Sequence, residues 1–171
     1  MRPAGRISAV NCYLDIIDDG VGAEVLAAVE ADRPRILKLL SATLADEAED
    51  PRQTWQLTVV LVDEATCDAI HRQHFGITGS TDVMSFPDGS VNPENGARLV
   101  GDVVVCPAVA LASTGAASIS EQRARDEVLL YILHGCLHCL GFDDVEEDDR
   151  QAMWDRQREL LAPWGIDVRD E

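Results

Sequence analysis

The stretch His134-Gly135-Cys136-Leu137-His138-Cys139-Leu140-Gly141-Phe142-Asp143-Asp144 decides how the chain is read. Its two histidines stand four residues apart. On a helix they leave from one face, within roughly 40° of each other at about 100° per residue. Gly141 can end that helix. Two aspartates follow at once, within reach of a turning chain. The outline is a metal site with three protein ligands: the two imidazoles and a carboxylate from Asp143 or Asp144. A site that leaves a fourth position open is the catalytic kind. Imidazole with carboxylate suits Zn2+ among the common metals, so one Zn2+ per chain is expected. A zinc-bound water, its pKa lowered toward ~7, is then the expected nucleophile. No side chain is assigned as the general base.

Upstream of this stretch, Val128 to Leu140 is apolar nearly all round, the mark of a helix buried in the middle of a protein. Two imidazoles in such a helix are costly unless they are satisfied. Cys136 and Cys139 fall on the side away from the histidines and are not expected to share their metal. A redox C-x-x-C pair usually sits at a helix start, where the dipole lowers the thiol pKa; this pair lies near a helix end. Gly135 stands where H-E-x-x-H proteases carry their glutamate base, which weighs against a peptidase.

The rest of the chain supplies a frame for that helix. Ile7 to Tyr13 is β-inclined, and Asp15 to Gly22 reads as an acidic loop. Asp32 is a candidate N-cap, with Pro34 in the first turn of an apolar helix that fades at Glu47 to Pro51. Thr54 to Val62 is a strand by its β-branched content. Asp63 can cap a helix running to about His74, with His71 and His74 near its C-terminal end, where the dipole favours them. Thr81 to Pro87 and Leu99 to Cys106 are further strands, separated by a polar loop, and the second is apolar enough to be buried on both faces. Asp82 and Asp102 are each placed at a strand start, fixing loop backbone. Pro107 to Ala117 is a short helix. Ser118 or Ser120 can cap the histidine-bearing helix, Ser118 with Glu121 at capping-box spacing. A last amphipathic helix around Met153, Trp154, Leu160 and Leu161 ends at Pro163 and Gly165.

The chain has 171 residues, which fits one domain over 1–171. It is 46% hydrophobic and only 5% aromatic, so the core is aliphatic. The net charge of -17 arises from 14 basic and 31 acidic residues, and Lys38 is the one lysine. Broad electrostatic capture of nucleic acid is excluded by that balance. If RNA is the substrate, a local patch or a partner must hold it. Five cysteines, an odd number spread through apolar stretches, read as reduced buried thiols. No secretory leader and no membrane span is expected, and the location expected is cytoplasmic.

These residues resemble the YbeY family of bacterial metal-dependent endoribonucleases. The family's H-G-x-L-H-L-x-G-[YF]-D-H is similar to His134 through Asp144. Its T-[DN]-V-L-S-F-P is similar to Thr81 through Pro87, and its L-G-D-I-V-I-[CS] to the run ending at Cys106. Met153 falls where the family has a methionine in its last helix. The resemblance covers roughly residues 50 to 165 and keeps the family's motif order. It implies an α+β fold: a small mixed sheet of about four strands, surrounded by helices, with a central buried helix carrying the metal-binding histidines. It implies a zinc hydrolase that cuts single-stranded RNA in the maturation of small-subunit ribosomal RNA and in ribosome quality control. The small ribosomal subunit and its assembly factors are the implied partners, without DNA or membrane. The metal set becomes His134, His138 and Asp144. Ser85 and Phe86 would line the cleft beside it.

Two positions depart from the family. Asp144 stands where the third ligand is a histidine, so a carboxylate must take that place or leave the site incomplete. Phe75 stands six residues before Thr81, where many members carry an arginine suited to a phosphate. Arg72 and His74, nearby on the same helix, are the candidates to replace it. The alternatives to the endoribonuclease are a non-catalytic ribosome-assembly factor with a structural metal and, behind it, a zinc metallopeptidase. The charge of -17 and Phe75 favour the assembly factor.

Overall fold

The computed structural model describes residues 10–47, 50 and 52–168. These residues form four strands and six α-helices: β1 (Cys12–Asp19), α1 (Ala23–Ala31), α2 (Arg33–Glu47), β2 (Trp55–Val62), α3 (Glu64–Phe75), β3 (Val83–Pro87), β4 (Arg98–Val105), α4 (Pro107–Thr114), α5 (Gln122–Cys139) and α6 (Glu147–Leu161). A short 3-10 turn, Ala162–Trp164, follows α6.

The sheet has the order β1-β2-β4-β3. The first two pairings are parallel, and β3 runs antiparallel to β4 at the edge. The fold is therefore α+β around a small mixed sheet, as expected. Alternation divides the strands between two cores. Leu57, Val59 and Leu61 of β2, with Val103 and Val105 of β4, face the larger one, which α2 and α5 fill with Leu40, Leu44, Leu129, Ile132, Leu133 and Leu137. Val62, Val104, Met84 and Cys106 face the other way, against Cys67 of α3. Strand β4 is thus buried on both faces.

Helix α5 is the centre of the molecule. Ile132, Leu133, Cys136 and Leu137 are fully buried. It packs directly on the sheet because residue 135 is glycine: a Cβ there would lie 2.5 Å from Cγ1 of Val103 and 3.0 Å from Cγ2 of Val83. The same contact explains the missing protease glutamate. Position 135 faces the sheet, and no side chain fits.

Several local expectations are corrected. The expected first strand over 7–13 lies outside the described residues except at its end. Strand β1 runs through the segment read as an acidic loop. It lies at a sheet edge, with Leu14 turned into the core and Asp15 and Asp19 turned out, so its acids cost little. Asp18 Oδ1 then accepts the amides of Gly20, Val21 and Gly22 and turns the chain. Helix α1 had no sequence signal at its start, where Gly22 has a φ of 88° and no side chain caps. Among the described residues, the Asp32 carboxylate pairs with Arg35 and Arg125 rather than with the first-turn amides of α2. Ser118 and Ser120 bond each other, and α5 begins after Glu121, whose Oε1 accepts from the amides of Ala117 and Ser118. Asp102 lies inside β4 and is exposed.

Candidate metal centre and its cleft

His134 and His138 leave α5 on one face, near its end. The helix stops in a Schellman turn: the amide of Phe142 donates to Leu137 O at 3.0 Å and that of Gly141 to His138 O at 3.0 Å, with Gly141 at a φ of 99°. This turn folds the following residues back over the histidines. It brings the Phe142 carbonyl oxygen 3.0 Å from His138 Nδ1. It also brings Asp144 Oδ2 to 3.6 Å from His134 Nε2 and 3.5 Å from His138 Nε2. Asp143 is used differently, its Oδ1 accepting the amides of Asp144 and Val145. The turn therefore consumes one carboxylate of the pair and presents the other.

The protonation of the rings follows from their outer partners. A backbone carbonyl only accepts, so His138 carries its proton on Nδ1 and presents an Nε2 lone pair to the site. Gln157 Oε1, 2.9 Å from His134 Nδ1, does the same for His134. Burial pushes the His134 imidazole below its ordinary pKa, the hydrogen bond it donates to Gln157 opposing, so the neutral ring is favoured. The two Nε2 atoms then face each other at 3.0 Å, with a carboxylate oxygen beside them. Two lone pairs and an anion so close repel unless a cation lies among them. A tetrahedral ion with bonds of ~2.1 Å spaces its ligands by about 3.4 Å. The three separations here, 3.0, 3.5 and 3.6 Å, bracket that value. Donor type, spacing and outer hydrogen bonds all fit a metal ion.

The cluster opens onto a cleft of about 490 Å³. One wall is His134, His138 and Asp144; another is Thr81 to Ser85 with Pro87; the third comes from α3 and the loop after it, through His71, Phe75 and Ile77. Ser85 lines the cleft. Phe86, its neighbour on β3, points to the opposite face by the alternation of the strand and packs with the smaller core. Arg72 and His74 are exposed and do not line the cleft: Arg72 pairs with Asp68, and His74 sits edge-on to Phe86 with centroids 5.1 Å apart. Phe75 itself does line it. Cys136 is wholly buried and Cys139 partly so, with burial pushing the Cys139 thiol up to about 11; neither belongs to the donor cluster.

Sequence reasoning missed one participant, Gln157, and preferred structural roles for two others, His71 and Asp82. Gln157 is buried on α6, and its signal was a glutamine within the apolar stripe Met153, Leu160, Leu161. His71 and Asp82 also face the cleft. Asp82 Oδ1 accepts from the Val83 amide at 2.7 Å and from the Thr81 hydroxyl at 3.1 Å. Among the described residues, no hydrogen bond reaches its Oδ2.

Fold and site together define an α+β protein with a His-His-carboxylate cluster, able to hold a metal ion, at the wall of an open cleft. Residues 26–165 match the family model described as Endoribonuclease YbeY, and the chain belongs to the YbeY family. The Endoribonuclease YbeY of Clavibacter sepedonicus is 37% identical over 148 residues, covering 84% of this chain and 94% of that protein. That of Acidothermus cellulolyticus is 37% identical over 150 residues, covering 82% and 88%. That of Kineococcus radiotolerans is 41% identical over 111 residues, 62% of each chain. The solution structure of TM1509 from Thermotoga maritima superposes with a TM-score of 0.50 at 20% identity, over 89% of this chain and 91% of that one, and supports the fold alone. No helix among the described residues is long and apolar enough to cross a membrane.

Proposed function

We propose that the protein is a zinc-dependent endoribonuclease for single-stranded RNA, acting as one domain in the cytoplasm in the maturation of small-subunit ribosomal RNA and in ribosome quality control. The observation that carries this is the triangle of His134, His138 and Asp144 opening on a cleft, in a chain of the YbeY family. The small ribosomal subunit and its assembly factors are the partners in this proposal.

The residues divide the work as follows. His134, His138 and Asp144 hold one Zn2+. When bound, the zinc supplies a Lewis acid that polarises a phosphoryl oxygen and lets water ionise near neutral pH. An aspartate among the ligands lowers that acidity relative to three neutral imidazoles. Asp82 is the one other carboxylate lining the cleft among the described residues, and its Oδ2 takes the proton of the attacking water. Its Oδ1 bonds hold the carboxylate in place. Ser85 offers a hydroxyl on the same wall.

The test combines metal analysis with RNA cleavage. The purified protein should carry about one zinc per chain, and His138→Ala should abolish it. Cutting of a single-stranded RNA should vanish in His134→Ala. Full zinc occupancy in Asp144→Ala would refute the third ligand. Asp82→Asn should lower kcat by about 10²- to 10⁴-fold, the usual worth of a proton acceptor, with zinc retained. A non-catalytic assembly factor is the second reading, favoured by one observation: none of the described residues lining the cleft is lysine or arginine. Full zinc binding without RNA cleavage would select it.

A further inference from the structure

We propose that Phe75 and Ile77 form a stacking platform for an unpaired nucleobase of single-stranded RNA, seating the strand beside His134 and His138. The proposal rests on the endoribonuclease function above and adds how this chain grips its substrate.

Large apolar side chains are exposed at few places among the described residues. Phe75 is 50% exposed and Ile77 54%, and both line the cleft that holds the metal donors. Two exposed apolar side chains on the wall of a polar cleft cost solvation, and none of the described residues covers them. Phe75 is also held still. Phe75 is the last residue of α3, which Gly76 ends with a φ of 69°. Its ring lies 5.8 Å from that of His71 and 6.1 Å from that of Phe86, both tilted to it. His71 is tied in turn by Nδ1 to Gly79 O at 2.8 Å, and Asp68 Oδ1 accepts the Gly79 amide at 2.5 Å. Phe86 is anchored on β3. An aromatic face fixed in this way costs little conformational entropy when a flat ligand stacks on it.

Charge decides what that ligand is. The cleft walls carry Asp82 and Asp144 and, among the described residues, no lysine or arginine. The chain as a whole carries -17. A phosphate finds no side-chain cation on these walls. A nucleobase is neutral at pH 7, presents a π-face whatever its identity, and is free to stack only when unpaired. The platform thus selects single strands and tolerates any sequence, and it gives an acidic protein a grip on RNA that does not depend on basic residues.

The experiment measures equilibrium binding of a fluorescein-labelled single-stranded 12-mer RNA and of the same length carrying abasic sites at its centre. Cleavage is held off by the His134→Ala background and is assayed separately in the otherwise wild-type protein. The background protein should bind the base-bearing RNA more tightly than the abasic one. Adding Phe75→Ala should weaken the base-bearing RNA by about 5- to 150-fold, the span of stacking losses on alanine substitution, and erase the preference. Adding Phe75→Trp should keep both, and should show tryptophan quenching with the base-bearing RNA only. The affinity should fall only shallowly with salt, since few phosphate contacts release counterions. Unchanged affinity in Phe75→Ala, equal binding of the abasic RNA, or a steep salt slope overturns the platform. If Phe75→Ala in the otherwise wild-type protein also still cuts RNA normally, the endoribonuclease function stands while the platform falls. If neither RNA is bound or cut, both fall.

Discussion

Gln157 shows how much a site depends on a residue that is not a ligand. It is 2% exposed and its only role visible in the structure is to hold the proton of His134 Nδ1. Outer partners of this kind set the tautomer and aim of the ligand, and losing one typically costs 10–100-fold in metal affinity. Gln157→Leu should therefore weaken zinc binding by about that factor, measured by competition with a chelator, while Gln157→Glu, which keeps an acceptor, should lose much less. Equal losses in the two variants would mean that packing matters here and not the hydrogen bond. His134 and His138 were legible from spacing alone. Gln157 was not, because its partner lies 23 residues away and their meeting depends on how α5 and α6 pack. The choice between Asp143 and Asp144 was equally invisible to the bare spacing: it is made by the turn amides that Asp143 accepts.

At the scale of elements, α5 and its seat on the sheet matter most. The interiors of β2, β4, α5 and α6 could be read because each carries an apolar run or stripe matched to where it is buried, and α3 because Asp63 caps it. Strand β1 and helix α1 could not. The strand is acidic along its outer side, which reads as loop until β2 is placed beside it, and the helix begins at an uncapped glycine. Asp63 is the reverse case, a cap visible in sequence and seen in the structure, its Oδ1 accepting the Thr66 amide at 2.7 Å. Asp63→Ala should cost about 1 kcal/mol, read by chemical denaturation. Gly135→Ala tests the seat of α5. A methyl 2.5 Å from Val103 Cγ1 cannot be accommodated without moving the helix or the strand. The expected loss is about 1–3 kcal/mol. Adding Val103→Ala should return part of it, because the two sites are in contact and their effects are coupled. Strict additivity in that double variant would place the clash elsewhere.

For the whole molecule, a metal ion held by the cluster would work as a clamp as well as a chemical centre. His134 and His138 stand on α5, Asp144 follows the turn after it, and Gln157 joins from α6. An ion held by these ligands ties the turn between α5 and α6 to the central helix. The unfolded chain has no such arrangement, so binding stabilises the native state by mass action. At free zinc about 100 times Kd the gain is about 2.7 kcal/mol. For a chain of 171 residues this raises Tm by roughly 5–11 °C. Melting the protein with zinc and after dialysis against a chelator should show that interval. His138→Ala should melt at one temperature in both conditions, because it leaves a single imidazole with the carboxylate, too weak a pair to hold the ion. Asp144→Ala should show a reduced interval, because two imidazoles still bind, though weakly. If the wild-type protein melts identically with and without zinc, the three donors do not hold a metal tightly enough to serve as its site, and the zinc-dependent mechanism fails with them.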